Sequence, residues 1–220
     1  MSALVLPDTA ARARQHGPCR LAPSALRNID PILAQVEAHA PKTGRALEIA
    51  SGSGQHVVRF AGVRPYVSWQ PTDLSSANLA AIEGWRAASG AANILPPVTL
   101  DAGAAGWGTR LGPFDLIVLA NLLHLIPDQA ADTLLGELGP ALAPGGTALI
   151  YGPFLRDGQP TSPGDRRFHE SLRAQDSRLG YKDADHVAAC IAAGGPEVAA
   201  RIEMPANNLM FIARAPRQTP

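Results

Sequence analysis

Arg45-Ala-Leu-Glu-Ile-Ala-Ser-Gly-Ser-Gly-Gln-His56 is the stretch on which the fold turns. Ala46, Leu47, Ile49 and Ala50 form a short apolar run that reads as a buried strand of a parallel sheet. The run breaks into Ser51-Gly52-Ser53-Gly54, and a helical pattern begins at Gln55. Strand, glycine turn and helix make the first crossover of a nucleotide-binding, Rossmann-type sheet. There glycines let the backbone approach a ligand, and the helix N-terminus offers free N–H groups. A dinucleotide fingerprint wants Gly or Ala at its third glycine position, and counting from Gly52 that position holds Val57. Glu48 also puts a negative charge where a pyrophosphate would lie. A carboxylate there repels phosphate and suits a cationic or amine-bearing ligand. The competing reading is an ordinary tight strand-to-helix turn.

The whole chain bounds what this turn can serve. Its 220 residues make one large domain that can bury a full core without disulfide or metal staples. Lys plus Arg and Asp plus Glu both number 19, a balance that argues against a nucleic-acid partner, which needs a basic surface. Cys19 and Cys190 stand far apart and lack a CxxC partner, so neither a disulfide framework nor a metal site is expected, and reduced thiols are the default. No charged region followed by an apolar core opens the chain, and no uncharged apolar window reaches about 18 residues. No secretory signal and no membrane partner are expected, and the location expected is cytoplasmic. Oligomeric state is not legible.

Working outward, residues 1–23 carry Pro7, Gly17, Pro18 and Pro23 and read as an irregular arm, with a single domain over 24–216. A helix is expected from Ser24 to about Ala40, bent at Pro31. Tyr66 to Gln70 is the second strand and leads to Asp73, 21 residues beyond Gly52. A carboxylate at that distance, at the tip of strand two, is where such folds hold ribose hydroxyls. The alternative for Asp73 is a helix cap, since the apolar pattern Leu79, Ile82, Trp85 follows. Strand three is expected at Val98 to Leu100 and ends at Asp101-Ala102. An acid there can accept from an adenine amino group beside an apolar neighbour such as Trp107, or Trp107 plugs the core edge.

Phe114 to Ala120 is nearly continuous apolar and reads as a central strand. It runs into Asn121-Leu122-Leu123-His124, where Asn121 and His124 stand past a strand end that faces the ligand crevice. His124 is a candidate base, against the reading of a hydrogen-bonded structural histidine. Asp128 caps the next helix, Thr147 to Tyr151 is strand five, and the polar stretch 156–165 is expected to form a lid. Helices follow near 166–175 and 183–193. Val198 to Met204 and Leu209 to Ala213 must pair as an antiparallel hairpin, because only Pro205-Ala206-Asn207-Asn208 joins them.

Five strand–helix units ending in an antiparallel hairpin resemble the Rossmann-like class I S-adenosylmethionine-dependent methyltransferase fold, an α/β architecture with a seven-stranded, mostly parallel sheet. Several strings resemble the methyltransferase-like 26 family (domain of unknown function 938). They are Arg27-Asn28 with Pro31-Ile32-Leu33, the segment Leu47 to His56, Trp69-Gln70-Pro71-Thr72-Asp73, Leu100-Asp101 with Trp107, Asn121 with His124, Tyr151-Gly152-Pro153-Phe154, and Met204 to Leu209. The likeness covers about residues 24 to 214. Departures lie at Leu125-Ile126-Pro127-Asp128 and within 164–181, both bordering the expected substrate side.

The resemblance implies S-adenosyl-L-methionine as cofactor, with Asn28, Glu48, Ala50, Gly52, Gly54, His56, Asp73, Leu74, Asp101, Ala102, Trp107 and Asn121 around it. It supplies no acceptor. Position in the expected sheet sets a small-molecule substrate between His124, Tyr151, Phe154, Asn207 and Asn208, beneath the 156–165 stretch, with no metal. Two other readings stand beside methyl transfer. One is a non-catalytic S-adenosylmethionine-binding or scaffold protein on the same fold. The other, an NAD-dependent oxidoreductase, is disfavoured by Val57 and Glu48.

Overall fold

Alternation of strand and helix begins close to the chain start in the computed structural model, which describes residues 14–16 and 19–217. β1 (Arg14–His16) and β2 (Cys19–Leu21) pair antiparallel, so the described part of the expected irregular arm is a short ribbon. Residues 1–13, 17 and 18 of that arm lie outside the described residues. α1 (Pro23–His39) starts one residue before the expected Ser24, with Pro23 in the first turn where a missing N–H costs nothing.

β3 (Gly44–Ile49), α2 (Gln55–Val63), β4 (Val67–Asp73), α3 (Ser76–Ser89) and β5 (Val98–Thr99) build one half of the sheet. α4 (Trp107–Leu111), β6 (Phe114–Ala120), α5 (Asp128–Ala141) and β7 (Leu142–Leu155) begin the other half. α6 (Pro163–Gln175), β8 (Lys182–Asp183), α7 (Ala184–Ala193), β9 (Glu197–Met204) and β10 (Asn208–Arg214) complete it.

Strand order is β5-β4-β3-β6-β7-β10-β9, with β8 on the far end of β7. The sheet therefore has eight strands where the sequence reading expects seven. The extra one arises because β7 runs on past Tyr151, and Phe154 and Leu155 pair in parallel with Lys182 and Asp183. All pairs from β5 to β7 are parallel, while β10 runs antiparallel to both β7 and β9 as the short link requires. The chain winds outward from β3 in one direction and from β6 in the other. Their carboxyl ends are therefore the switch point at which such sheets open a ligand crevice.

Two apolar layers flank the sheet. Ile32 and Val36 of α1 and Val57 and Phe60 of α2 meet Leu116, Val118, Leu149 and Tyr151 on one face. Leu134, Leu135 and Leu138 of α5 and Val187 and Ile191 of α7 meet Ile117, Leu119, Ile150 and Phe154 on the other. β6 has both faces covered, which is why it reads as continuous apolar sequence. Each such side chain removed from water contributes roughly 1.5–3 kcal/mol, so these layers hold the sheet and leave the loops at its edge to function. No helix among the described residues is long and apolar enough to cross a membrane.

Candidate functional site

Three left-handed residues shape the turn after β3: Ala50 at φ 53°, Gly52 at φ 58° and Gly54 at φ 86°. The pattern therefore starts at Ala50, two residues before the position from which the sequence fingerprint is counted. Spaced by two, the positions 50, 52 and 54 carried that signal, masked by the Cβ of Ala50. Counted from Ala50, the third glycine position of a dinucleotide fingerprint falls on Gln55, so the departure from that fingerprint stands, and Val57 is 1% exposed in the α2 core. A Cβ on Gly52 would meet only the Ala50 carbonyl oxygen at 4.0 Å, leaving open space above the turn for a ligand. A Cβ on Gly54 would stand 2.9 Å from Ile82 Cα, so this glycine serves the packing of α2 on α3.

The turn is stitched to the neighbouring strand by residues the sequence reading passed over. Ser51 N–H donates to the Thr72 carbonyl (2.8 Å), and Thr72 Oγ1 donates to the Glu48 carbonyl (2.8 Å). Gln55 Oε1 accepts from the Ser53 hydroxyl and from Ala22 N–H, bringing the end of the N-terminal ribbon to the glycine turn.

Glu48 is the anomaly of the site. Its residue is 3% exposed, and Oε2 has no hydrogen-bond partner among the described residues. Burial pushes its carboxyl up to about 8, the nearby Asp73 adds to the rise, and the Ser51 hydroxyl opposes part of it. A buried carboxyl oxygen left without a donor costs roughly 1–3 kcal/mol in stability.

Asp73 ties the glycine turn to the start of α3. Oδ2 accepts Gly52 N–H (2.9 Å), while Oδ1 accepts Ser75 N–H (2.9 Å) and Asn78 Nδ2 (3.1 Å). A carboxylate has about four lone-pair sites. Three are filled among the described residues, one of them on Oδ2. Leu74 beside it is apolar yet 45% exposed. Asp101 is exposed at the end of β5 and Oδ1 accepts Gly103 N–H (3.0 Å), with Ala102 buried next to it. Asn121, at φ 59°, is the left-handed counterpart of Ala50 at the tip of β6, and its N–H donates to the Tyr151 carbonyl (2.9 Å).

Glu48, Ala50, Gly52, Gly54, Asp73, Leu74, Asp101, Ala102 and Asn121 thus lie along one edge of the sheet. Asn28 and His56 come together between α1 and α2, with His56 Nε2 3.0 Å from Asn28 Oδ1 and Asn28 bonded also to the Tyr151 phenol. Burial lowers His56 to about 4, so the ring is neutral at pH 7. Trp107 is a correction. It is 1% exposed and donates its indole N–H to the Ala102 carbonyl (3.0 Å). It braces the loop from the core side and presents no face to the crevice.

The expected substrate group also needs correction. β7 continues through Gly152-Pro153, and side chains three apart on a strand point to opposite faces. Tyr151 therefore packs with the α1–α2 layer while Phe154, 1% exposed, packs edge-on to Phe211 (5.0 Å) in the other. His124 is 6% exposed, its ring edge-on to Phe168 (5.8 Å) and Tyr181 (6.0 Å). Burial, with the Lys182 charge, lowers it to about 3, and so weak a base takes protons poorly at neutral pH. Lys182 itself is held by Asp128 (2.6 Å) and the Ile126 carbonyl (2.9 Å).

The 156–165 stretch is pinned by Asp165, a residue the sequence reading did not single out. Its carboxylate accepts from Thr161 Oγ1 (2.9 Å), Ser162 Oγ (2.6 Å), Asn207 Nδ2 (3.0 Å) and Tyr181 OH (3.3 Å). Asn208 turns inward on its own hairpin, donating to the Pro205 carbonyl (2.9 Å). A cavity of about 450 Å³ lined by His39, Thr147, Arg214 and Arg217 opens at the opposite, amino-terminal end of the strands, away from the glycine turn.

With this geometry in place, the comparisons with known proteins are specific about the fold. A family profile described as a protein of unknown function (DUF938) matches residues 19–215. An O-methyltransferase family protein from Burkholderia thailandensis superposes with a TM-score of 0.77 at 16% identity, over 89% of this chain and 58% of that one. Human N-acetylserotonin methyltransferase in complex with S-adenosylmethionine gives 0.71 at 16%, over 88% and 53%. CalO1, a methyltransferase in calicheamicin biosynthesis solved with S-adenosylhomocysteine, gives 0.68 at 14%, over 88% and 55%. The chain spans little more than half the length of these proteins. The shared architecture is the Rossmann-like α/β methyltransferase fold with its antiparallel carboxy-terminal hairpin.

Proposed function

This chain belongs to the DUF938 family, and from that premise we propose that it is an S-adenosylmethionine-dependent methyltransferase acting on a small-molecule acceptor, within the methyltransferase-like 26 branch that its sequence strings resemble. One observation carries the reading: the buried Oε2 of Glu48, without a partner among the described residues, beside a left-handed turn with open space above Gly52. A carboxylate so placed fits an ammonium donor and disfavours a phosphate. Support also comes from structural neighbours that hold S-adenosylmethionine or S-adenosylhomocysteine.

The sulfonium of this cofactor supplies an already activated methyl group for in-line displacement. The chain's own contribution is placement and exclusion of water. Glu48 accepts from the ligand's amino group, and the arriving positive charge draws the carboxyl toward its ionised form. The remaining acceptor site on Asp73 Oδ2 takes a ribose hydroxyl. Leu74 offers its exposed apolar surface to the adenine face, and Asp101 accepts from the ring amino group. Asn121 closes the crevice from the β6 side. Asn28 and His56, bonded to each other, hold α1 against α2 beside the site rather than contacting the reacting atoms.

Calorimetry with S-adenosylmethionine on the native chain and on Glu48→Ala tests the cofactor site, with at least a tenfold loss expected in the variant. Equal affinity in both would remove Glu48 from the site. Turnover with methyl-labelled cofactor against a metabolite extract tests the enzyme. Burial of His124 favours a second reading, non-catalytic binding on the same fold, and tight binding without label transfer would support it. Nicotinamide cofactor binding in place of S-adenosylmethionine would revive the oxidoreductase reading.

A further inference from the structure

α5 and α7 run side by side on the sheet face opposite α1, and glycines bring their backbones close. A Cβ on Gly139 would stand 1.9 Å from the Gly194 carbonyl oxygen, and one on Gly194 would meet Gly136 Cα at 3.1 Å. One turn before Gly136 on the same stripe lies Asp132. One and two turns before Gly194 lie Cys190 and His186. Three side chains of different chemistry converge there. His186 Nε2 is 2.8 Å from Asp132 Oδ1, Cys190 Sγ is 3.4 Å from the same oxygen, and Cys190 Sγ is 3.4 Å from His186 Nε2.

We propose that Asp132, His186 and Cys190 form a binding site for a divalent transition metal of the zinc class, with solvent completing a tetrahedron and the metal clipping α5 to α7. A tetrahedral zinc ion bonded to N and O at about 2.0–2.1 Å and to S at about 2.3 Å sets those ligands about 3.3–3.6 Å apart. Both sulfur separations already match. The nitrogen and oxygen need to part by about half an ångström, which follows when the metal replaces their hydrogen bond.

The donor set selects the ion. Sulfur disfavours magnesium and calcium, which take all-oxygen shells, while imidazole with thiolate and carboxylate suits zinc and cobalt. As the metal–sulfur bond forms, the thiol proton leaves to solvent, and the neutral imidazole exchanges its Nε2 proton through solvent for one on Nδ1, so that Nε2 gives its lone pair to the ion. Thiolate and carboxylate together then balance the charge of the ion. Access is open, since the His186 and Asp132 side chains are 54% and 44% exposed. The sequence concealed the site because His-x-x-x-Cys spans one helical turn, whereas its third ligand is 54 residues away.

The test is titration of the reduced, metal-stripped full chain with cobalt(II) chloride, followed by competition with zinc chloride. A thiolate-to-cobalt charge-transfer band is expected in the near ultraviolet, saturating at one equivalent and bleached by zinc. Cys190→Ser should abolish the band and Cys19→Ser should leave it. His186→Ala and Asp132→Asn should each weaken cobalt binding at least tenfold. Absence of the band, its survival in Cys190→Ser, or unchanged affinity in both His186→Ala and Asp132→Asn would overturn the site. None of these residues enters the cofactor crevice, so the outcome is independent of the methyl-transfer reading.

Discussion

Ala50 holds a conformation that costs an L-residue roughly 1–2 kcal/mol, and the hydrogen bonds of Ser51 and Thr72 keep it there. Ala50→Gly should relieve part of that strain and stabilise the fold by up to about 1 kcal/mol, read as a rise of roughly 2–4 °C in melting temperature. Gly54→Ala should do the reverse, because its Cβ would combine a left-handed backbone with a 2.9 Å approach to Ile82. A loss of roughly 2–4 kcal/mol in urea unfolding is expected. A Gly54→Ala protein as stable as the native one would contradict the close packing of α2 on α3. At this scale the sequence showed which residue types stand at the carboxyl ends of the strands. It could not show that Glu48 Oε2 lacks a partner among the described residues or that Trp107 turns inward, because both depend on what the rest of the chain brings alongside.

Between elements, the α5–α7 seam gives a paired prediction. Gly139→Ala drives a Cβ into the Gly194 carbonyl and should cost more than about 2 kcal/mol, whereas Gly136→Ala meets nothing within 4 Å and should gain roughly 0.5–1 kcal/mol from helix propensity. Equal effects of the two, measured by chemical denaturation, would argue against the seam. The segment before α6 rests on Asp165. Asp165→Ala removes the common acceptor of Thr161, Ser162, Tyr181 and Asn207. Hydrogen exchange should then accelerate over residues 156–165 while β6 stays protected; unchanged exchange there would show that the segment is held some other way. The hairpin partners β9 and β10 were legible because a short polar link permits only one pairing. Continuation of β7 to Leu155 was not, since Gly152-Pro153 reads as a stop until β8 supplies its partner strand.

For the molecule as a whole, three buried titratable groups set the response to pH. Glu48 is raised from its ordinary 4.5 to about 8, so the folded chain binds the extra proton and stability falls as pH rises between those values. His56 and His124 are lowered from 6.5 to about 4 and about 3, so stability is lost as pH falls below 6.5. At about 1.4 kcal/mol per unit, Glu48 alone governs pH 6.5 to 8, and the two histidines outweigh it below 6.5. His39 and His169, also lowered by burial, act in the histidines' direction. Ligand-free protein should therefore be most stable near pH 6.5, and Glu48→Gln should flatten the alkaline side. Urea midpoints that climb from pH 6.5 to 8 in the native chain would contradict this. The sequence by itself determined the order of strand–helix units, the glycine turn and the antiparallel close, because hydrophobic period and turn chemistry are local. Only the tertiary structure decided that Tyr151 and Phe154 part to opposite faces, that His124 is sealed beneath Phe168 and Tyr181, and that Asp132 meets His186 and Cys190. Burial and partnership are contacts between residues far apart in the chain, and no local pattern encodes them.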